Sequence, residues 1–210
     1  MSLRVVSWNV LADCYTAEPW EQRRPQIARA LEALTGQLGT LGEEGESPAA
    51  LVLLLQEADH VEDFLRPLFA RLGLRVLVQR RPGKDDGCLV AFDASKLEVI
   101  AEERVDFDDL AEIALSTDNY KRQTFLRHNI ALLACFRCRE TAQLLTVANT
   151  HLYWNPNFAE VKAGQAKYLL DRIHSFQLRH ACQPGARVVL GGDFNSTPAS
   201  EVYSLLTRPF

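Results

Sequence analysis

Seven short segments of this 210-residue chain have the pattern of strands, and so many strands in one chain have to be gathered into one large sheet or two. They are LRVVSWNV (3–10), ALVLLLQE (50–57), LRVLVQ (74–79), GCLVAFD (87–93), NIALLACFR (129–137), AQLLTVANT (142–150) and ARVVLGG (186–192). Helical patterns lie between them. The first covers 21–38, with Ile27, Leu31 and Leu34 on one face, and the second 61–72. The third covers 158–178, with Val161, Tyr168, Leu169, Ile173 and Phe176 on one face. Strands and helices interleaved in this way predict an α/β or α+β architecture. The Gly- and acid-rich stretch 39–50 reads as a loop. The polar stretch 106–125 reads as a long excursion that either covers a binding cleft or is a plain surface insertion.

A hydrophobic content of 47% is enough for a sizeable core. No apolar run approaches the ~20 residues that span a bilayer. Residues 1–8 alternate like a strand rather than showing a basic region before an apolar leader, so a cytoplasmic chain without a membrane segment is expected. The five cysteines are odd in number and scattered, which argues for reduced thiols. The CxxC of Cys135 and Cys138 sits in an apolar run with no second pair at metal-binding spacing, and reads as structural. A net charge of −4 excludes a broad basic surface that grips long duplex by neutralising phosphates, so an anionic substrate has to be held locally, through metal ions.

Four of the segments share one feature, an apolar strand that stops at a polar residue. Asn9 follows VVSW, Glu57 follows LVLLLQ, His151 follows LLTVANT, and Asp193 with Asn195 follows VVLGG. Gathered at one edge of a core, these ends supply two carboxylates, two amides and an imidazole. That set suits a hard cation and a phosphate. Mg²⁺ takes oxygen ligands and keeps several waters, so Glu57 and Asn9 suffice to anchor it. Taken singly, each residue has an ordinary alternative: turn formers for the asparagines, helix caps for the acids, a hydrogen-bonded strand-end imidazole for His151. The repetition of the pattern favours the functional alternative. Gly191 and Gly192 allow a close approach, and Asp193 and Asn195, two apart in an extended segment, are expected to point to one side and act on one phosphate.

SWNVLADCYT, LLLQEAD, DDGCLVAFD, VANTHLYWNP and LGGDFNSTPAS, in this order, resemble the endonuclease/exonuclease/phosphatase superfamily, and within it the deadenylase-like branch of mRNA deadenylases, nocturnin, Angel proteins and 2'-phosphodiesterase. The resemblance covers residues 4 to about 205. It implies a four-layer α/β sandwich in a single domain, 1–210, and a Mg²⁺-dependent phosphodiesterase, with Mn²⁺ as a substitute ion. The substrate implied is the 3' end of RNA, poly(A) or a 2',5'-oligoadenylate. Residue by residue, it implies Glu57 as the metal ligand with Asn9 beside it, and His151 on the scissile phosphate. Asp193 would orient or activate the attacking water, and Asn195 would hold a phosphate oxygen. It also implies Pro156, supported by Trp154, against the terminal base, and Asn129 within reach of substrate. The alternatives here are a core Trp154, a Pro156 that starts the helix near Asn157, and a strand-edge amide at Asn129. Asn155 stands where relatives often carry an acid or histidine, which leaves the substrate preference open.

The superfamily pattern ends in a late Asp and a Ser-Asp-His, and neither follows GDFN here. The expectation is therefore a domain without its C-terminal strands, either a fragment of a nuclease or a shortened homologue that binds nucleotide or RNA without turnover. A nucleotide or RNA-terminal phosphatase of the same fold is the other enzyme expected.

Overall fold

The computed structural model describes residues 2–36, 49–113, 123–180 and 187–208. Among them two four-stranded sheets face each other. The first has the order β1-β2-β4-β3 and is built from β1 (Leu3–Asn9), β2 (Ala50–Gln56), β3 (Leu74–Arg80) and β4 (Gly87–Asp93). The second has the order β5-β6-β7-β8 and is built from β5 (Leu97–Asp106), β6 (Ile130–Cys138), β7 (Leu144–His151) and β8 (Arg187–Asp193). Helix α1 (Trp20–Gly36) carries the chain from β1 to a parallel β2, and α4 (Ala159–His180) carries it from β7 to a parallel β8. The short helices α2 (Arg66–Arg71), preceded by a wide turn at Val61–Leu65, α3 (Asp109–Ile113) and α5 (Glu201–Leu206) complete the set. No described helix is long and apolar enough to cross a membrane.

The apolar runs are continuous because both faces of the central strands are covered. Leu51, Leu53 and Leu55 of β2 pack outward with Ile27 and Leu31 of α1 and Leu68 and Phe69 of α2. Val52 and Leu54 point inward to Val90, Leu132, Phe136 and Val147, the layer between the sheets. On the far side Ala131, Leu133 and Cys135 of β6 face Leu169, Ile173 and Phe176 of α4. The result is helices, sheet, sheet, helices: the four layers expected. β1 and β8, the parallel outer strands on one flank, are half-buried along most of their length.

The eighth strand, β5, is absent from the seven expected. It lies at a sheet edge, its exposed side carries Glu102 and Arg104, and a register shift between Val99 and Ala101 breaks the alternation on which strand recognition rests. The excursion expected at 106–125 is also corrected at its start. Asp106 ends β5, and α3 follows within the stretch because Asp108 turns the chain, accepting from the amides of Arg127 and His128 at 2.9 and 2.8 Å. Whether that stretch covers a cleft, and the loop expected at 39–50 up to residue 48, fall on residues outside those described, as does Cys182. Cys88, Cys135 and Cys138 are buried and unbridged, Cys14 exposed and unbridged.

The sheets are fastened together at one end by Asn149, a fully buried residue of β7. Its Nδ2 donates to the carbonyls of Leu55 and Leu89 in the opposite sheet, at 2.8 and 2.9 Å, and its Oδ1 accepts from Gln56 Nε2 at 2.8 Å. Nearby, Gly192 has φ +148°, and a Cβ there would meet the Thr150 carbonyl oxygen at 2.1 Å, so no side chain fits the β7–β8 pairing at that point.

Two stability outcomes follow from this geometry. Asn149→Ala takes a donor from two buried carbonyls and an acceptor from Gln56, which keeps the Leu54 carbonyl and Ser7, a loss of about 2–3 kcal/mol that lowers Tm by roughly 4–12 °C; a thermal melt unchanged within about 1 °C would show that the bridge is dispensable. Gly192→Ala should destabilise by about 1–3 kcal/mol or more, whereas Gly36→Ala, where a Cβ meets nothing within 4 Å, should melt like the parent.

Candidate active site

Because β1 and β2 run parallel, as do β7 and β8, the C-terminal ends of all four point the same way, and each delivers a polar residue there. Asn9 ends β1, Glu57 follows β2 in a left-handed turn (φ 53°), and His151 and Asp193 are register partners ending β7 and β8. One amide ties the two sheets' acids together: Asn9 Nδ2 donates to Glu57 Oε1 at 2.9 Å and to Asp193 Oδ2 at 3.0 Å. Glu57 Oε2 accepts the Ala12 amide at 3.0 Å, and the loop bearing Ala12 is held by buried Arg23, which binds the Val10 carbonyl at 2.9 Å and Asp13 at 2.6 Å.

His151 is buried, with Nε2 3.8 Å from Asp193 Oδ2 and Nδ1 enclosed without a partner. Burial lowers its pKa, against the pull of Asp193 and Glu57, so the neutral ring is favoured. Asn9, Glu57, His151, Asp193 and Asn195 all line one cavity of about 690 Å³. All five expected strand-end residues therefore converge.

The route by which Asn195 gets there differs from the extended segment expected. Asn195 has φ 45°, its amide donates to Asp193 Oδ1 at 2.9 Å, and its side chain donates to the Leu152 carbonyl at 3.0 Å. It is a turn rather than strand alternation that brings the two residues together, and buried Lys162 locks that turn by donating to the Asn195 carbonyl at 2.8 Å.

Asn129 also lines the cavity, but both ends of its amide are engaged, Nδ2 with the His151 carbonyl at 3.0 Å and Oδ1 with Gln165 at 3.3 Å. It holds the His151 backbone from within the cavity lining, and each end of its amide keeps one further hydrogen-bonding position. Trp154 lines the cavity at 66% exposure, which rules out the core alternative. Pro156 lies in the turn that Asn155 closes on the Asn157 amide at 3.0 Å, outside the cavity lining. Nor does it start α4, which begins at Ala159.

Several lining residues were not singled out from the sequence. Arg81 reaches in from the β3–β4 turn, held by Asp86 and Tyr15 at 3.2 Å and by the His128 carbonyl at 3.1 Å. Its signal was the basic run QRRPGK before DDG. Arg127 and His128, just before Asn129, are two more.

A separate cluster of Asp13, Asp59 and His60 brings its carboxylate and imidazole atoms within 4.8 Å of one another beside a second cavity of about 540 Å³. Its groups already bind each other and Arg23: His60 Nε2 meets Asp13 at 3.1 Å, the Asp13 amide donates to Asp59 at 2.7 Å, and the His60 ring stacks on Trp20 at 4.0 Å.

The donor set of the first cavity fits a hard cation. Each carboxylate oxygen of Glu57, and each of Asp193, accepts one N–H and keeps a lone pair for a metal or water.

The chain is 30% identical over 234 residues to carbon catabolite repressor protein 4 homolog 4 of Arabidopsis thaliana, matching 97% of this chain and 55% of that protein. It is 31% identical to the CCR4-Not complex 3'-5'-exoribonuclease subunit Ccr4 of Yarrowia lipolytica, over 97% of this chain and 34% of that one. The chain thus spans about half, or less, of the length of these relatives. Among solved structures it superposes on ANGEL2, a 2',3'-cyclic phosphatase, in complex with adenosine-2',3'-vanadate, with TM-score 0.73 and 27% identity, covering 96% of this chain and 56% of that one. A model of the Endonuclease/Exonuclease/phosphatase family matches residues 6–209. With the four-layer fold and the strand-end cluster, this match establishes that the chain belongs to the Endonuclease/Exonuclease/phosphatase family.

Proposed function

We propose that this cavity hydrolyses a phosphodiester at the 3' end of RNA or of an oligoadenylate, with Mg²⁺ as cofactor. The observation that carries the reading is the Asn9 bridge, which holds Glu57 and Asp193 at fixed positions in one cavity with His151 beside them. Glu57, with Asn9 next to it, would hold the ion. When bound, Mg²⁺ supplies charge neutralisation on the phosphoryl oxygens.

The chain's own groups do the rest. Asp193, with a lone pair free on each oxygen, orients a water and takes its proton. His151, kept neutral by burial, presents Nε2 toward the charge that develops on the phosphate. The exposed Trp154 ring at the rim offers a face on which a base stacks. The likeness to a 3'-5'-exoribonuclease subunit supports RNA as the substrate class. A second reading, a phosphatase acting on a nucleotide or RNA terminus, is favoured by the likeness to the ANGEL2 cyclic phosphatase.

Incubation with a 5'-labelled oligoadenylate and Mg²⁺ is expected to release AMP, and both EDTA and Glu57→Ala should abolish release. Phosphate released from a cyclic or terminal phosphate, with the oligoadenylate left intact, would replace the first reading by the second. Asn9→Ala removes two charge-assisted hydrogen bonds and the acceptor of the Leu11 amide, and should lower kcat/KM by about 10- to 100-fold or more. A kcat/KM within about 2-fold of the parent would mean the bridge does not organise the site.

A further inference from the structure

The cavity is polarised. Glu57 and Asp193 carry the acid, whereas Arg81, Lys84 and Arg127 line the same space with positive charge. Arg81 is matched internally by Asp86. Arg127 is not: among the described residues no carboxylate pairs with its guanidinium, and its Nε is buried without a hydrogen-bond partner.

Its position is nevertheless tightly built. The guanidinium carbon lies 4.9 Å over the Tyr153 ring and 4.9 Å over the Phe158 ring, which meet each other edge to face at 5.7 Å. The Arg127 amide is fixed on Asp108, and the next-but-one residue, Asn129, holds the His151 backbone. A charged planar fork, stripped of water at one nitrogen, resting over two rings and left without an anion among the described residues, is a site prepared for one. Guanidinium geometry matches the paired oxygens of a phosphate, and little side-chain entropy remains to be lost when it binds.

From this we infer that Arg127 forms a subsite for a second phosphate of the substrate, next to the phosphate that reacts at Glu57, His151 and Asp193. The inference rests on the reading of the cavity as a phosphoester site and extends it to the substrate class: a ligand with at least two phosphate groups is preferred over one with a single group. The second phosphate is either the next diester of an oligonucleotide or a terminal monoester, and both offer the same oxygens to the fork.

The test is equilibrium binding by calorimetry, in chelator so that no probe is cleaved, of ApA with one phosphate, ApApA with two diesters, and pApA with one diester and one monoester. The parent is expected to bind ApApA or pApA more tightly than ApA, and whichever gains identifies the source. Arg127→Met, which keeps a stem to pack against the rings, should weaken the two-phosphate probe by about 10- to 100-fold and leave ApA within about 2-fold. Arg127→Lys should restore part of the loss, and it keeps the test open if the Met variant melts early.

Equal weakening of all three probes would make Arg127 a packing residue and overturn the subsite. So would an unchanged preference in Arg127→Met, or a parent that binds none of the probes or binds them all alike. AMP release that survives while the preference is absent removes the subsite alone. A preference that depends on Arg127 in a protein that releases no AMP removes the hydrolytic reading and leaves the subsite.

Discussion

The site depends on the two sheets meeting in one fixed alignment, and that alignment is held by the side-chain amide of Asn149. Apolar packing between sheets is non-directional and tolerates sliding. A fully buried amide that reaches two carbonyls and one glutamine across the gap does not, because any slip leaves several polar groups enclosed and unpaired. Asn149 lies two residues before His151, and its partner Gln56 immediately precedes Glu57, so the polar contact that sets the alignment is adjacent in both strands to the groups it aligns.

Around that anchor the backbone is held in conformations that side-chain-bearing residues seldom adopt. Leu11, Glu57, His128 and Asn195 all have positive φ, and each lies beside or within the candidate cavity. Three of them are held by neighbours: the Leu11 amide by Asn9 Oδ1, the His128 amide by Asp108, the Asn195 carbonyl by Lys162. Backbone strain of this kind costs of order 1–3 kcal/mol per residue and concentrates where geometry has to be exact in order to work. Here it turns the chain sharply at the strand ends so that their side chains face one space.

Much of this was legible in the sequence, for a physical reason. Strands that contact a core are written as apolar runs, and polar side chains stand where those runs end. That is why Asn9, Glu57, His151 and Asp193 stood out and why their convergence was predictable. β5 was not, since the bulge between Val99 and Ala101 breaks the alternation of its apolar residues and four acids interrupt the run. Asn195 was placed correctly but by the wrong geometry, because a left-handed asparagine and an extended one look the same in sequence. Asn129, Arg81 and Arg127 show the limit most clearly. Whether an amide is engaged, and whether an arginine is paired, depends on which groups the fold brings beside it: the amide of Asn129 meets the His151 carbonyl, 22 residues on.

The hydrogen bond from Asn9 to Asp193 joins residues 184 apart. Nearly the whole chain has to be threaded before its two ends meet, and the entropy of closing so long a loop is paid before the contact returns anything. Each pair of parallel strands carries only part of the cavity: β1 and β2 bring Asn9 and Glu57, β7 and β8 bring His151 and Asp193. The cavity is therefore complete only when the two sheets are docked in register, since its residues are divided between them.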